Sequence, residues 1–144
     1  MNRKEIMEFL PHREPMLLVD EVDISANGNE AMGKYTIRGD EWFLKGHFPG
    51  FPVVPGVILC EIMAQSCCAL LQEELAGKTP FFTGIDKVKF RHMVRPGDVV
   101  KTRTTITRRK GQFYFTRCKA TVDGKVAAIG ELSFMLMENE ETPG

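Results

Sequence analysis

The chain has 144 residues, and its 19 basic and 19 acidic side chains cancel. That length supports one domain with one core, and the balanced charge leaves no global field to draw the chain to nucleic acid or to an anionic membrane. Four cysteines without a secretory leader point to a reducing, cytoplasmic setting rather than a disulfide-bonded exterior.

In chain order, residues 2–8 read as a short helix stopped by Pro11. Residues 16–24 and 30–37 read as strands joined through Ala26-Asn27-Gly28-Asn29, a turn sequence. Next comes a ramp from Gly46 to Gly56 in which Pro49, Pro52 and Pro55 each fix φ and turn the preceding residue away from the helical region. The ramp is therefore stiff and non-helical, and it holds His47 near its start. From Pro55 or Gly56 the sequence turns apolar through Leu71, broken only by Glu61, Gln65 and Ser66. This predicts a helix buried on every side, ended by Gly77 and Pro80. The run is too short and too interrupted to span a bilayer. Four further strands are predicted over 81–91, 98–109, 112–123 and 125–137, with tight turns at Lys110-Gly111 and Asp123-Gly124. In the last three, positions such as Val100 and Ile106, Tyr114 and Cys118, and Leu132, Phe134 and Leu136 keep one face apolar. One helix buried all round and six antiparallel strands have one economical arrangement, an α+β fold with the sheet wrapped around the helix. A single domain is expected over 2–137, with 138–144 as a solvated tail.

The chemistry concentrates in the ramp and the helix after it. Glu61 and Gln65 stand four apart and so share one helix face, a single polar spot in a dry element. An isolated carboxyl there is costly to ionise, and the helix N-terminus is too far away to compensate. The expectation is a Glu61 whose pKa is raised, able to hold and donate a proton. His47, on a rigid connector to the same helix, is the matching base. His12, in the turn between Pro11 and Pro15, and His92, at a strand end, read as structural, and three scattered histidines do not make a metal site. Cys60, Cys67, Cys68 and Cys118 read as inert core thiols. Lys87, Lys89 and Arg91 alternate with Val88 and Phe90 and so would share the outward face of a strand. A soluble sheet surface accounts for them simply; the other reading is a docking face for an anionic partner.

Taken together, Leu10-Pro11-His12-Arg13-Glu14-Pro15-Met16-Leu17-Leu18-Val19-Asp20, Gly46-His47-Phe48-Pro49-Gly50, Pro55-Gly56-Val57 through Glu61-Ile62-Met63-Ala64-Gln65, Gly84-Ile85-Asp86-Lys87-Val88-Lys89-Phe90 and Pro96-Gly97-Asp98 resemble the FabZ-type 3-hydroxyacyl-[acyl carrier protein] dehydratases of bacterial fatty acid synthesis. The resemblance runs from about residue 5 to 137. FabA-type dehydratase/isomerases share the ramp but carry Asp where this chain has Glu61, which favours the FabZ side.

The resemblance implies a hot dog fold and elimination of water from a (3R)-hydroxyacyl thioester to the trans-2-enoyl thioester, with no cofactor. His47 would take the proton beside the thioester carbonyl and Glu61 would protonate the departing hydroxyl, with Gln65 in support. Backbone N–H groups at the helix start, Gly56 foremost, would receive the charge on the carbonyl oxygen. It further implies that His47 and Glu61 of one site come from two subunits, making a homodimer the working unit, often assembled into a hexamer as a trimer of dimers. The partner would be acyl carrier protein with its 4'-phosphopantetheine-linked acyl chain, docking at Lys87, Lys89 and Arg91. Phe81 falls where the family tends to have an aromatic gate to the acyl tunnel, commonly Tyr, so a hydroxyl is missing there. Two other classes stay open on the residues themselves. A thioesterase on the same fold would hydrolyse the thioester, and a non-catalytic carrier-binding module would not need both His47 and Glu61.

Overall fold

The computed structural model describes residues 1–45 and 50–139. The chain begins with α1 (Arg3–Phe9), closed by a capping box in which the Asn2 side chain accepts from Glu5 N and the Glu5 carboxylate accepts from Asn2 N. It continues through β1 (Glu21–Ile24), β2 (Glu30–Thr36), α2 (Gly56–Cys67), β3 (Lys78–Phe90), β4 (Val99–Lys110), β5 (Phe113–Val122) and β6 (Lys125–Glu138). The six strands form one antiparallel sheet in the order β1-β2-β4-β5-β6-β3. The sheet curls around α2, the hot dog arrangement that one buried helix and six strands imply.

Burial explains why α2 sits where it does. Ile58, Leu59, Cys60, Ile62, Met63, Ala64, Gln65, Ser66 and Cys67 are all buried, and the helix packs on β4, β2 and β5. It lies tight against β2 at Gly33, where an added Cβ would lie 2.7 Å from Thr102 Oγ1 and collide with Ser66 Oγ. A side chain on β2 at that point would lift the helix off the sheet. A second apolar cluster unites Ile6, Leu10, Leu71, Tyr114, Phe134 and Leu136, fastening α1 and the turn after α2 to the other end of the sheet.

Three boundaries differ from the sequence expectation. Residues 16–20 are not strand: Leu17, Leu18 and Val19 are buried in succession, and Leu18 N donates to a side chain of α2 rather than to a neighbouring strand. The helix does not run to Gly77. It closes at Cys67 in a short 3-10 turn, Cys68–Leu71. Pro80 lies inside β3, opposite Leu136; β3 is an edge strand of the sheet, where a missing backbone donor is tolerated. At the other end β6 takes in Glu138, and Asn139 N is tied to Gly77 O at 3.0 Å, so 138 and 139 are held to the fold.

Two irregularities in β3 matter for the surface. The β3–β6 register shifts between Phe82 and Gly84 and again between Asp86 and Lys89. At the second shift Lys87 takes a positive φ of 51°, and the bulged chain presses Val88 onto Gly130, where an added Cβ would lie 2.7 Å from Val88 Cα. The outer edge of β3 has no strand partner among the described residues, and Phe82, Ile85 and Phe90 along it are exposed.

Candidate active site

The polar spot on α2 is built around one amide. Gln65 is 2% exposed and uses both its N–H donors and its oxygen. Its Oε1 accepts from Leu18 N at 2.8 Å, and its Nε2 donates to Met16 O at 2.8 Å and to Glu61 Oε1 at 2.9 Å. Because Leu18 N can only donate, it decides which end of the amide is oxygen and therefore which end meets Glu61. The same bonds pin residues 16–18 to the helix, and with them comes His12, whose Nε2 lies 3.2 Å from Glu61 Oε1. The His12 and Glu61 side chains are only 20% and 19% exposed.

This arrangement reverses the expected shift of Glu61. Burial is the largest single influence and pushes the carboxyl up, as anticipated. The hydrogen bond from His12, the hydrogen bond from Gln65 and the attraction of the His12 charge together outweigh it and hold the carboxyl below its ordinary value. The expectation of a raised pKa fails because it counted desolvation and not the donors that the fold delivers.

Around the pair lies a pocket lined by His12, Glu61, Ala64, Gln65, Cys68, Pro80, Phe81, Phe82 and Phe134. One carboxylate and its two donors thus look into an aromatic and aliphatic cleft, a setting suited to an acyl chain with one polar group near its reacting end. Of the anticipated site residues, Glu61, Gln65 and Phe81 meet here. Gly56 does not; it sits in a separate groove with Val53, Pro55, Val57, Phe90, Arg91 and Met93. A Cβ on Gly56 would lie 2.8 Å from the tip of the exposed Phe90 ring, which would have to shift. His47 lies outside the described residues.

Lys87, Lys89 and Arg91 are exposed, but their even alternation fails. The bulge puts Lys87 out of register, while Lys89 pairs with Ile129 and Arg91 follows just beyond the strand, its N–H on Ala127 O at 2.8 Å. Only the latter two keep the spacing that the sequence suggested. The four thiols are buried; burial pushes Cys68 and Cys118 up to about 12, as suits core sulfhydryls. His12 is the residue that sequence reasoning assigned elsewhere. No spacing rule links it to Glu61 across 48 intervening positions, and the only clue was that a glutamine inside an apolar helix must find main-chain partners.

Comparison with known proteins places the chain in a family. The FabA-like domain family matches residues 10–131. Over 138 residues the chain is 48% identical to the 3-hydroxyacyl-[acyl-carrier-protein] dehydratase FabZ of Clostridium perfringens, spanning 94% of this chain and 99% of the relative. The chain belongs to the FabZ family. The FabZ of Caldicellulosiruptor bescii is 45% identical over 137 residues, covering 94% of this chain and 98% of its own. Among solved structures, the dehydratase heterocomplex ApeI:P from Xenorhabdus doucetiae superposes with a TM-score of 0.74 at 20% identity, covering 94% of this chain and 91% of that one. The fluoroacetyl-CoA thioesterase FlK does so with a TM-score of 0.67 at 16% identity, covering 83% and 90%. At those identities the two structures share the fold, and the FabZ relatives carry the family.

Proposed function

We propose that the Glu61 pocket is the acid half of a dehydratase site. The chain is an enzyme that converts (3R)-hydroxyacyl-[acyl carrier protein] to trans-2-enoyl-[acyl carrier protein] in fatty acid elongation. One observation carries the assignment of the site: Glu61 stands in an apolar cleft with one carboxylate oxygen tied by Gln65 and faced by His12.

In this reading His47 removes a proton from C2 of the acyl chain. The electron pair forms the C2–C3 double bond as the C3–O bond breaks, and Glu61 protonates the departing hydroxyl, which leaves as water. His47 ends with one proton more and Glu61 with one fewer, and solvent resets both. A carboxyl held below its ordinary value is a strong acid but a poor store of protons. Substrate that fills the cleft displaces water from Glu61 and strengthens the effect of burial, already the largest, which returns the proton to the carboxyl when it is needed. Each of the two groups would supply roughly 10²- to 10⁴-fold. The chemistry calls for no cofactor.

Completion of the site calls for a second copy. The outer edge of β3 and the exposed Phe82, Ile85 and Phe90 along it favour a homodimer in which His47 of one subunit serves Glu61 of the next, with a trimer of dimers as the larger assembly. Lys89 and Arg91, with Lys87 beside them in the bulge, would receive acyl carrier protein and its phosphopantetheine arm. Phe81, at the rim of the Glu61 pocket, would gate the acyl chain, and Gly56 N–H would face the thioester oxygen across the interface. The enzyme would work in the cytoplasm; among the described residues no helix is long and apolar enough to cross a membrane.

The test is product analysis with a short (3R)-hydroxyacyl carrier-protein substrate. Wild type should release enoyl thioester, and His47→Ala and Glu61→Gln should each lose at least about 10²-fold in turnover while remaining folded. Free acid as the product would identify a thioesterase, and near-native turnover in either variant would remove that residue from its role.

A further inference from the structure

The two oxygens of Glu61 are not equivalent. Oε1 accepts from Gln65 Nε2 at 2.9 Å and lies 3.2 Å from His12 Nε2. Oε2 takes no hydrogen bond from the described residues, yet it is not among the side-chain atoms sealed away without a partner. It therefore keeps some open surface, on a side chain that lines the pocket. With Gln65 bonded to it and His12 Nε2 3.2 Å away, Oε1 is the crowded oxygen, where a hydrogen of its own would face two N–H groups. When Glu61 is protonated, the hydrogen belongs on Oε2, the oxygen that a substrate can reach.

His12 gives up something to make this contact. Its Nδ1 is buried with no hydrogen-bond partner, the only such side-chain atom among the described residues. An imidazole held only for structure would be expected to satisfy both nitrogens; this one engages Glu61 alone. We propose that His12 is a positioning residue for the acid: its Nε2–H and Gln65 together reserve Oε1, so that Oε2 carries the proton and aims it into the pocket. The proposal rests on the reading of Glu61 as the group that protonates the leaving hydroxyl.

Little else near Glu61 can titrate. On α2 and just beyond it stand Cys60 and Cys68, whose thiols burial pushes up and keeps neutral. From β3 come Pro80, Phe81 and Phe82 and from β6 Phe134, none of them ionisable. His12, from the segment before β1, is thus the side chain that, with Gln65, lowers Glu61.

The experiment compares wild type, His12→Ala, His12→Gln and Glu61→Gln as assembled enzymes. It measures kcat and KM across pH and follows the side-chain carboxyl of Glu61 by NMR in glutamate-labelled protein. His12→Ala should lower kcat about 10- to 100-fold, the effect of losing a hydrogen bond to a charged group, with KM nearly unchanged. It should also raise the pH at which Glu61 titrates, because a donor that favours the carboxylate is gone while burial remains. The alkaline limb of kcat, where the acid loses its proton, should move up with it. His12→Gln, whose amide N–H has similar reach, should recover much of the rate and the original titration. The proposal is overturned if His12→Ala keeps wild-type kcat, if its kcat falls while the Glu61 titration stays in place, or if a folded His12→Gln is no better than His12→Ala. Near-native turnover in Glu61→Gln would sink the acid assignment beneath it, and is distinguished because the His12-dependent shift of the carboxyl would still be seen in the NMR titration.

Discussion

Replacing Gln65 by Leu tests whether this one amide both holds the N-terminal segment and tunes the acid. The shape is nearly kept, so the cost comes from stranded partners. Leu18 N–H is buried, with its residue 1% exposed, and losing its acceptor there costs about 1–3 kcal/mol. The Met16 carbonyl belongs to a more exposed residue, so water takes over much of its bond and the loss is about 0.5 kcal/mol. Glu61 loses one of its two neighbours, about 1 kcal/mol or more for a charged acceptor. The added apolar burial of leucine returns about 1 kcal/mol. The net is destabilisation by about 1.5–3.5 kcal/mol, which lowers Tm by about 5–15 °C for a chain of this size, measured at fixed protein concentration because assembly couples to stability. Part of that difference depends on pH. Glu61 is held below its ordinary value, so its contribution to stability is present above the ordinary carboxylate range and is lost as pH falls through the depressed value. The gap between wild type and variant should therefore narrow in acid. A Tm within about 2 °C of wild type at neutral pH, with kcat unchanged, would refute the claim that these bonds hold His12 and Glu61 together.

Gly33→Ala should destabilise by about 1–3 kcal/mol through overpacking of α2 on β2, since the new Cβ meets Thr102 Oγ1 and Ser66 Oγ; chemical denaturation that gives an unchanged midpoint would contradict it. Reversing Lys89 and Arg91 to Glu should raise KM for the carrier-protein substrate about tenfold or more while sparing a small pantetheine thioester. Equal loss on both substrates would point to damage in β3 instead. Mixing inactive His47→Ala and Glu61→Gln proteins under subunit exchange should restore about a quarter of wild-type activity, because half of the re-paired dimers hold one intact site each. No recovery despite exchange verified by mass spectrometry would place both residues in one chain.

How far the site could be read in advance depended on whether the physics was local. The four-residue step from Glu61 to Gln65 is a property of any helix, and the apolar run around it predicts burial, so the polar spot and its dryness were legible. Pro80 was read as a stop because a proline breaks helices and central strands alike, and nothing local says that β3 lies at the edge of the sheet, where it does neither. The even spacing of Lys87, Lys89 and Arg91 assumed an unbroken pleat; Gly130 on β6 lets Val88 in and bulges the strand, a fact held by the partner strand and not by β3.

The acid itself shows the limit most clearly. Desolvation of Glu61 follows from its own neighbours in the helix, and its direction was right. The outcome was decided by His12 first and Gln65 after it, and a glutamine four residues away could equally have presented its oxygen, which would have repelled the carboxylate and raised it further. Leu18 N, from the buried segment misread as strand, claims that oxygen and leaves the amide nitrogen no choice but Met16 O and Glu61. The same contact brings His12 within 3.2 Å of Glu61. A backbone donor at residue 18 thus fixes which end of Gln65 meets residue 61. The misread strand and the misread pKa are one error, because the main-chain groups that fail to pair in a sheet are the ones that orient the acid.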